Sequence, residues 1–274
     1  MARVARDRWA EWLLHTRHGD DPEQLRGVLE YLYPVRDRVL ENARIAEGDT
    51  VLDAGCGDGL IAFGALERVG PRGRVVFSDV SQDLLDICRE FAARMGALDR
   101  CRFVRASADD LAAIPDGSVD ALTVRSVLIY VAHKRRALGE FHRVLKPGGR
   151  LSVFEPINRF AFPEPEDRLM GYDVTPVKDL ALRVRAVWER IQPPGADPMS
   201  DFDERDLLRL AGEAGFGELH MELKVDVRRH EPWSWDGLMG MSFNPKLPTV
   251  GETMRQALAP HEVERLTAHL RPLV

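Results

Sequence analysis

The sequence contains few cysteines, and their spacing is not that of a metal site or a disulfide framework. Cys56, Cys88 and Cys101 are the three in 274 residues, and none belongs to a C-x-x-C pair. An odd number of widely spaced cysteines argues against both kinds of site. We therefore expect reduced thiols, no bound metal and a cytoplasmic location.

The sequence also lacks an excess of positive charge and any long apolar run. The net charge is −6, although charged residues make up 30% of the chain. A nucleic-acid partner would favour a basic face, so we expect no such partner. No apolar run approaches the roughly 20 residues that a membrane-spanning helix needs. We therefore expect no membrane partner.

The segment V-L-D-A-G-C-G-D-G at 51–59 carries the strongest local signal in the chain. Two apolar residues end a predicted buried strand and Asp53 follows them. Three glycines at alternate positions then precede a helical pattern that begins at Leu60. Glycine has no Cβ and tolerates positive φ, so this arrangement lets backbone approach a ligand closely. The segment predicts a ligand site at the end of the first strand.

Two common nucleotide-binding patterns fit this turn poorly. A P-loop would need Lys followed by Ser or Thr at the end of the turn, but Gly59 is followed by Leu60 and Ile61. A dinucleotide fingerprint would place its third glycine where Leu60 stands. The carboxylate of Asp53 instead precedes the turn, which favours a cationic ligand group over a pyrophosphate.

The pattern D-x-G-x-G-x-G resembles motif I of the class I S-adenosylmethionine-dependent methyltransferases, and four later segments match that family in order. Residues 74–80 predict a second strand with Asp79 near its end, about 20 residues after the glycines, as in a ribose-binding βαβ unit. Residues 101–105 predict a third strand, followed by a loop similar to the family's adenine loop. Residues 115–124 predict a turn and a fourth strand. Residues 143–151 predict a helix end and the fifth strand.

The resemblance implies S-adenosyl-L-methionine as the cofactor. It implies that the methionine part faces Asp53 and the glycines, and that Asp79 receives the ribose hydroxyls. The adenine loop differs from the family pattern, because Ser107 stands where an acid is usual and Asp109 could take that role. The expected cofactor-binding residues are Asp53, Gly55, Cys56, Gly57, Gly59, Asp79, Val80, Ser107, Ala108, Asp109, Arg125 and Ser126.

The acceptor site is expected beside the cofactor, where strands four and five end. Tyr130 and His133 follow strand four and Glu155 follows strand five, so these three are the candidate catalytic residues. Glu155 either contacts a ligand or caps the next turn. No catalytic base is evident. The candidate substrate-binding residues are Tyr33, Arg36, Asn158 and Trp233.

Alternating strands and helices predict an α/β fold with a Rossmann-like, doubly wound, mostly parallel sheet and helices on both faces. We expect a helical lid (1–45), a cofactor-binding core (46–155), a helical cap inserted after strand five (156–200), a return helix with strand six (201–230) and a C-terminal helical segment (231–274). Within these segments, helices are expected at 81–96, 133–146 and 177–192, and the sixth strand at 218–227. Pro34 is expected to interrupt the helix that starts at Pro22, and Asp201 with Glu204 to form a capping box. The family's seventh strand is missing, and truncation at Val274 is the expected reason.

These features predict a methyltransferase that moves a methyl group to O, N or C of a small-molecule acceptor by in-line displacement. Two alternatives stay open. The chain could be a catalytically inactive S-adenosylmethionine-binding regulatory subunit, or a nicotinamide-dependent oxidoreductase, which Asp53 and Leu60 oppose. The sequence also leaves a homodimer open.

Overall fold

A computed structural model describes residues 6–226 and 233–274. Contacts within the described chain divide it into two compact units. The first unit comprises residues 6–10, 29–157 and 202–223. The second comprises residues 11–28, 158–201, 224–226 and 233–274.

A five-stranded parallel sheet forms the centre of the first unit. Its strands are β1 (Thr50–Ala54), β2 (Arg74–Asp79), β3 (Cys101–Arg105), β4 (Val119–Arg125) and β5 (Leu145–Phe154). They lie in the order β3-β2-β1-β4-β5, and every neighbouring pair is parallel. The chain order reverses between β1 and β4, which is where open α/β sheets bind ligands. The predicted Rossmann-like fold is confirmed.

Ten helices accompany the strands in the described residues. They are α1 (Arg8–Leu14), α2 (Pro22–Asn42), α3 (Leu60–Arg68), α4 (Gln82–Arg94), α5 (Lys134–Val144), α6 (Lys178–Ile191), α7 (Glu204–Glu213), α8 (Trp235–Gly240), α9 (Val250–Ala257) and α10 (Pro260–Leu270). Buried residues of α2, α3 and α4 form one core cluster with Val51, while those of α5 and α7 form another with Leu52. Consecutive strand residues point to opposite faces, so these clusters cover the two faces of the sheet.

The second unit has its own core, built from α6, α8, α9 and α10. A short antiparallel pair, β6 (Arg168–Leu169) and β7 (Tyr172–Asp173), packs with these helices. The predicted helix at 177–192 is α6. None of the helices described in either unit combines the length and the apolar character that crossing a lipid bilayer would require.

The prediction that Pro34 ends a helix is wrong, because α2 continues through it to Asn42. A proline inside a helix costs about 3 kcal/mol through a lost hydrogen bond and a steric clash. Leu32, Val39 and Leu40 are buried on either side of Pro34. Each buried aliphatic side chain contributes about 1.5–3 kcal/mol, so together they outweigh the cost of the proline.

The predicted capping box of α7 was displaced by two residues. Asp203, not Asp201, accepts hydrogen bonds from the backbone N–H groups of Arg205 and Asp206, both at 3.0 Å. The Asp206 carboxylate reciprocates by accepting from the Asp203 N–H at 3.2 Å. Carboxylates stand at 201, 203, 204 and 206, so spacing alone allowed two solutions. The buried Phe202 lies directly before the cap that the structure uses.

The predicted sixth strand at 218–227 is also wrong for the part that is described, since residues 218–226 form no strand. Val227 lies outside the described residues. Alternation predicts a strand only when one set of side chains has a core to face. Here Leu219, Leu223 and Val225 are 45%, 52% and 60% exposed, so the alternating pattern faces no core.

Candidate active site

The carboxyl ends of the five strands lie along one edge of the sheet. Ala54 pairs in register with Val124 on one side and Ser78 on the other, while Arg125 pairs with Phe154. This register brings Asp53, Asp79, Arg125 and Glu155 to the same edge from four different strands. The edge includes the switch point between β1 and β4, so the residues singled out there from the sequence lie at neighbouring strand ends.

The glycine turn, residues 55–59, requires glycine both for its conformation and for space. Gly55, Gly57 and Gly59 have φ values of +71°, +56° and +90°, which side chains rarely adopt. A Cβ on Gly55 would lie 2.3 Å from Val127 Cγ2, and one on Gly59 would lie 2.4 Å from Phe63 Cε2. The turn therefore keeps backbone, not side chains, at the end of β1.

Asp53 is a buried carboxylate with one unused oxygen. Its Oδ1 accepts a hydrogen bond from Thr123 Oγ1 at 2.7 Å. Its Oδ2 is buried and has no hydrogen-bond partner among the described residues. Burial raises the pKa of Asp53 to about 7, although the hydroxyl of Thr123, the charge of Arg125 and the backbone N–H of Ala62 oppose that rise. Leaving a buried acceptor unpaired costs about 1–3 kcal/mol, so this atom is a candidate ligand contact.

Arg125, like Asp53, has one buried polar atom without a hydrogen-bond partner among the described residues. Its Nη1 is buried and makes no hydrogen bond to the described part of the chain. The positive charge of the guanidinium group opposes the rise in pKa that burial causes at both Asp53 and Glu155. It therefore acts on the carboxylates at both neighbouring strand ends. A ligand that carries both an ammonium and a carboxylate group would satisfy both unused atoms. The site therefore fits the amino-acid part of S-adenosylmethionine.

Asp79 joins the end of β2 to the glycine turn. Its Oδ2 accepts from the Gly57 N–H and its Oδ1 from the Ser81 N–H, both at 2.9 Å. Burial raises the pKa of Asp79, and these two backbone donors oppose the rise. Each carboxylate oxygen can accept more than one hydrogen bond, so the pair of ribose hydroxyls expected here would still find acceptors.

The expected adenine loop follows β3 and is tied to β2. The Ala106 N–H donates to the Asp79 carbonyl at 3.0 Å, and Arg105 Nε donates to the Val80 carbonyl at 3.1 Å. The Ser107 hydroxyl donates to the Asp109 carboxylate, which leaves the oxygen of Ser107 as an acceptor. Ala108 is buried, while the side chain of Val80 is exposed.

The three candidate catalytic residues have different surroundings. Glu155 Oε1 accepts from the N–H groups of Val127 and Leu128, and its Oε2 accepts from a third N–H in the same turn. The ring of Tyr130 packs edge-on against Trp9, with centroids 5.2 Å apart. His133 is exposed at the start of α5, where its side chain does not cap the helix.

The four candidate substrate-binding residues are divided between the two units. The Arg36 guanidinium lies 5.0 Å from the Tyr33 ring centroid and pairs with Asp37 at 2.8 Å, so both predicted residues interact within α2. Asn158 and Trp233 belong to the second unit. The Asn158 carbonyl accepts from two following N–H groups, and Trp233 packs against that unit's core. Their roles toward a substrate remain predictions.

The three cysteines are free thiols, and the surroundings of Cys56 and Cys101 disfavour the thiolate. Cys56 and Cys88 are buried, and Cys88 Sγ lies 3.4 Å from the Gly57 carbonyl oxygen. A hydrogen bond to Cys88, together with burial, raises the pKa of Cys56, and burial raises the pKa of Cys101 to about 11. Protonated thiols are poor nucleophiles. Within the described ranges, no three His, Cys, Asp or Glu side chains are grouped as metal ligands would be.

Four site residues were missed from the sequence. Thr123 supports Asp53, Ser81 supports Asp79, Val127 packs on the glycine turn, and Asp7 accepts a hydrogen bond from Ser81 Oγ at 2.7 Å. A threonine inside an apolar strand, and a serine before a helix, were signals that could have found two of them. Nothing near Asp7 in the sequence pointed to α4.

The matches to known proteins concentrate on this same region. A family model described as a methyltransferase domain matches residues 51–149. The ubiquinone/menaquinone biosynthesis C-methyltransferase UbiE of Francisella tularensis subsp. novicida is 34% identical over 120 residues, which cover 44% of this chain and 48% of that protein. UbiE of Pseudomonas entomophila is 36% identical over 132 residues, which cover 48% and 49%. The chain thus spans about half the length of these curated relatives.

Solved structures share the fold over a longer stretch. Geranyl diphosphate C-methyltransferase from Streptomyces coelicolor A3(2) has a TM-score of 0.52 and 21% identity, covering 71% of this chain and 66% of that one. At this level of identity, the likeness concerns the fold alone.

The family match begins in β1 and ends within β5. It therefore contains Asp53, the glycine turn, Asp79 and Arg125, whose arrangement at one edge of the sheet is described above. Residues 51–149 are therefore similar to a methyltransferase domain, and the resemblance to the class I S-adenosylmethionine-dependent methyltransferases concerns this part of the chain.

Proposed function

We propose that this protein is an S-adenosyl-L-methionine-dependent methyltransferase that acts on a small molecule. The observation that carries the proposal is the pair of unused buried atoms, Asp53 Oδ2 and Arg125 Nη1, beside the glycine turn. A zwitterionic ligand end supplies a partner to each atom. Neither a pyrophosphate nor a nicotinamide ring carries that pair of groups, so the oxidoreductase alternative has no support here.

The residues of the strand ends divide the work of binding the cofactor. Asp53 and Arg125 hold the ammonium and carboxylate groups of the methionine part, and Asp79 accepts the ribose hydroxyls. The backbone of the glycine turn lets the ligand approach because no Cβ projects there. When bound, the cofactor supplies a methyl group on a positively charged sulfur, which an aligned acceptor atom displaces. The protein's contribution is alignment and exclusion of water.

The acceptor is proposed to be methylated at carbon. The curated relatives named above are ubiquinone/menaquinone biosynthesis C-methyltransferases, and they support this proposal. The net charge of −6 also favours a small molecule over nucleic acid. A catalytically inactive binding subunit remains the alternative, and measured turnover distinguishes it.

The central test is the effect of Asp79→Ala on cofactor affinity. The substitution removes two charge-assisted ribose hydrogen bonds, each worth about 1.5–3 kcal/mol, so we expect affinity to fall at least about tenfold. Calorimetric titration with S-adenosylmethionine and S-adenosylhomocysteine measures it, with NADH as the comparison ligand. Asp86→Ala is the matched control, because Asp86 is exposed on α4.

The outcomes separate the readings. Binding of both sulfur ligands but not NADH, weakened only by Asp79→Ala, supports the proposal. Equal affinities in the wild type and the Asp79 variant would refute the ribose assignment, and binding of NADH alone would refute the class of cofactor. Transfer of a labelled methyl group to carbon of a quinone precursor would then distinguish an enzyme from a binding subunit.

A further inference from the structure

We propose that Glu155 is a positioning residue, which holds the turn at 126–130 against the glycine turn and thereby controls cofactor affinity. It was expected from the sequence to contact a ligand or to cap a turn. This inference rests on the proposed function for its ligand, but the structural part of the argument does not need the cofactor.

The first step is the set of bonds that Glu155 makes. Its carboxylate accepts hydrogen bonds from three consecutive backbone N–H groups: Val127 at 2.8 Å and Leu128 at 2.9 Å on Oε1, and Ile129 at 3.2 Å on Oε2. These donors begin a 3-10 turn at 128–130, where N–H groups have no partner within the turn itself. Leu128 and Ile129 are buried, so water is a poor substitute for the carboxylate.

The second step is the conformation that these bonds maintain. Ser126 has a φ of +54°, in the left-handed region that non-glycine residues rarely occupy. Such a residue persists only where its surroundings hold it. The Ser126 N–H donates to the Phe154 carbonyl at 2.8 Å. Two adjacent residues at the end of β5, Phe154 and Glu155, therefore hold four successive backbone N–H groups after β4.

The third step is what the held turn touches. The side chain of Val127 lies so close to Gly55 that a Cβ there would be 2.3 Å from Val127 Cγ2. Val127 is thus the contact through which Glu155 acts on the glycine turn. At its other end the turn presents the ring of Tyr130 to Trp9. Both carboxylate oxygens of Glu155 accept hydrogen bonds from this turn, so we assign Glu155 a positioning role.

The test compares Glu155→Gln with Glu140→Gln. Glu140, on α5, also accepts a backbone hydrogen bond, from Leu111 N–H at 2.8 Å, and pairs with Arg143, so it is a matched structural carboxylate elsewhere in the same unit. A glutamine at 155 would retain the two bonds on one oxygen but turn an NH2 group toward Ile129 N–H. We expect both variants to unfold at a lower temperature than the wild type.

Two readouts separate positioning from general destabilisation. Hydrogen exchange followed by mass spectrometry should become faster at 127–129 and in the glycine turn for Glu155→Gln, but not in the glycine turn for Glu140→Gln. Affinity for S-adenosylhomocysteine should fall about threefold or more in the Glu155 variant alone, which is the range of coupling between contacting residues. Val127→Ala should weaken affinity as well, and its effect should not add fully to that of Glu155→Gln.

The possible results bear on two separate claims, the positioning role of Glu155 and the proposed function. Unchanged exchange in the glycine turn of Glu155→Gln overturns the positioning role, whether or not the cofactor binds. Unchanged affinity together with a reduced kcat would instead make Glu155 a residue that contacts substrate. Failure of the wild type to bind S-adenosylhomocysteine would refute the proposed function, while the exchange comparison would still decide the role of Glu155.

Discussion

At the scale of single residues, Gly55 shows how two separate constraints can require glycine at one position. Its φ of +71° and the 2.3 Å approach to Val127 are independent reasons for the absence of a side chain. The first is the conformational cost that any residue with a side chain bears at such a φ value. The second is a steric conflict particular to this contact, which joins the ends of β1 and β4.

Replacing Gly55 by alanine should therefore destabilise the protein more than a conformational cost alone would. Gly96→Ala is the matched control, because Gly96 has a φ of +66° and nothing lies within 4 Å of the position that a Cβ would take there. We expect Gly96→Ala to lose about 1–2 kcal/mol of unfolding free energy and Gly55→Ala distinctly more. Urea unfolding measures both, and equal losses would show that Val127 yields without cost.

The residues of the site differ in how far sequence could predict them. Asp53, the glycines and Asp79 belong to a local pattern in which strand, turn and acid follow each other along the chain. The partners of these residues do not. Thr123 is 70 positions from Asp53, and Glu155 is 28 positions from the first N–H that it accepts. Those pairings exist only because β1, β4 and β5 are neighbours in the sheet.

At the scale of elements, burial determined which local signals were realised. The five strands and the helices between them formed where predicted, because each has apolar residues facing one of two cores. Pro34 did not end α2, and the alternation at 218–226 did not form a strand. At Pro34 the local pattern predicted an interrupted helix, but buried residues on both sides of the proline accompany a continuous one. At 218–226 the local pattern predicted a strand, but its apolar side chains have no core to face.

The start of α7 offers a direct test at this scale. Asp203→Ala should lower the unfolding free energy by about 0.5–2 kcal/mol, because it removes the acceptor for two helix N–H groups. Asp201→Ala should cost less than Asp203→Ala, because the first N–H groups of α7 donate to Asp203 and not to Asp201. Urea unfolding measures both variants. A larger loss for Asp201→Ala than for Asp203→Ala would show that Asp201 caps the helix, as its spacing from Glu204 predicts.

At the scale of the whole molecule, buried carboxyl groups at the strand ends make stability depend on pH. Burial raises the pKa of Asp53 from an ordinary 3.8 to about 7 and that of Glu155 from 4.5 to about 7. The folded protein then binds more protons than the unfolded chain between about pH 4 and pH 7. The contribution of these two groups is fully present below about pH 4 and is lost as the pH rises through about 7.

We therefore expect the unfolding free energy to decrease as the pH rises from 5 to 8. Asp120 and Glu140, whose pKa values are lowered by hydrogen bonds and paired charges, act in the opposite direction at lower pH. His18, whose pKa burial lowers to about 4, opposes part of the decrease below about pH 6.5. Denaturant titrations at several pH values measure the slope. Asp53→Asn should flatten it, since its side chain no longer titrates. A slope unchanged by that substitution would assign the pH dependence to other groups.

The sequence by itself determined the class of fold, the place of the glycine turn and the resemblance to a methyltransferase domain. These depend on signals within short stretches: apolar strands, glycines that lack a Cβ, and acids at fixed distances after them. Such signals can be read within a short stretch, although a core to face decided whether each predicted element formed.

Only the tertiary structure decided which distant groups meet. The order β3-β2-β1-β4-β5 brings the carboxylate of Glu155 to the turn after β4 and the hydroxyl of Thr123 to Asp53. It also leaves Asp53 Oδ2 and Arg125 Nη1 buried without a partner from the described chain. Burial and pairing are properties of the packed sheet, since they depend on which strands become neighbours. The packing of the sheet places the Glu155 carboxylate against the turn after β4. It also leaves an acceptor on Asp53 and a donor on Arg125 without partners in the described chain.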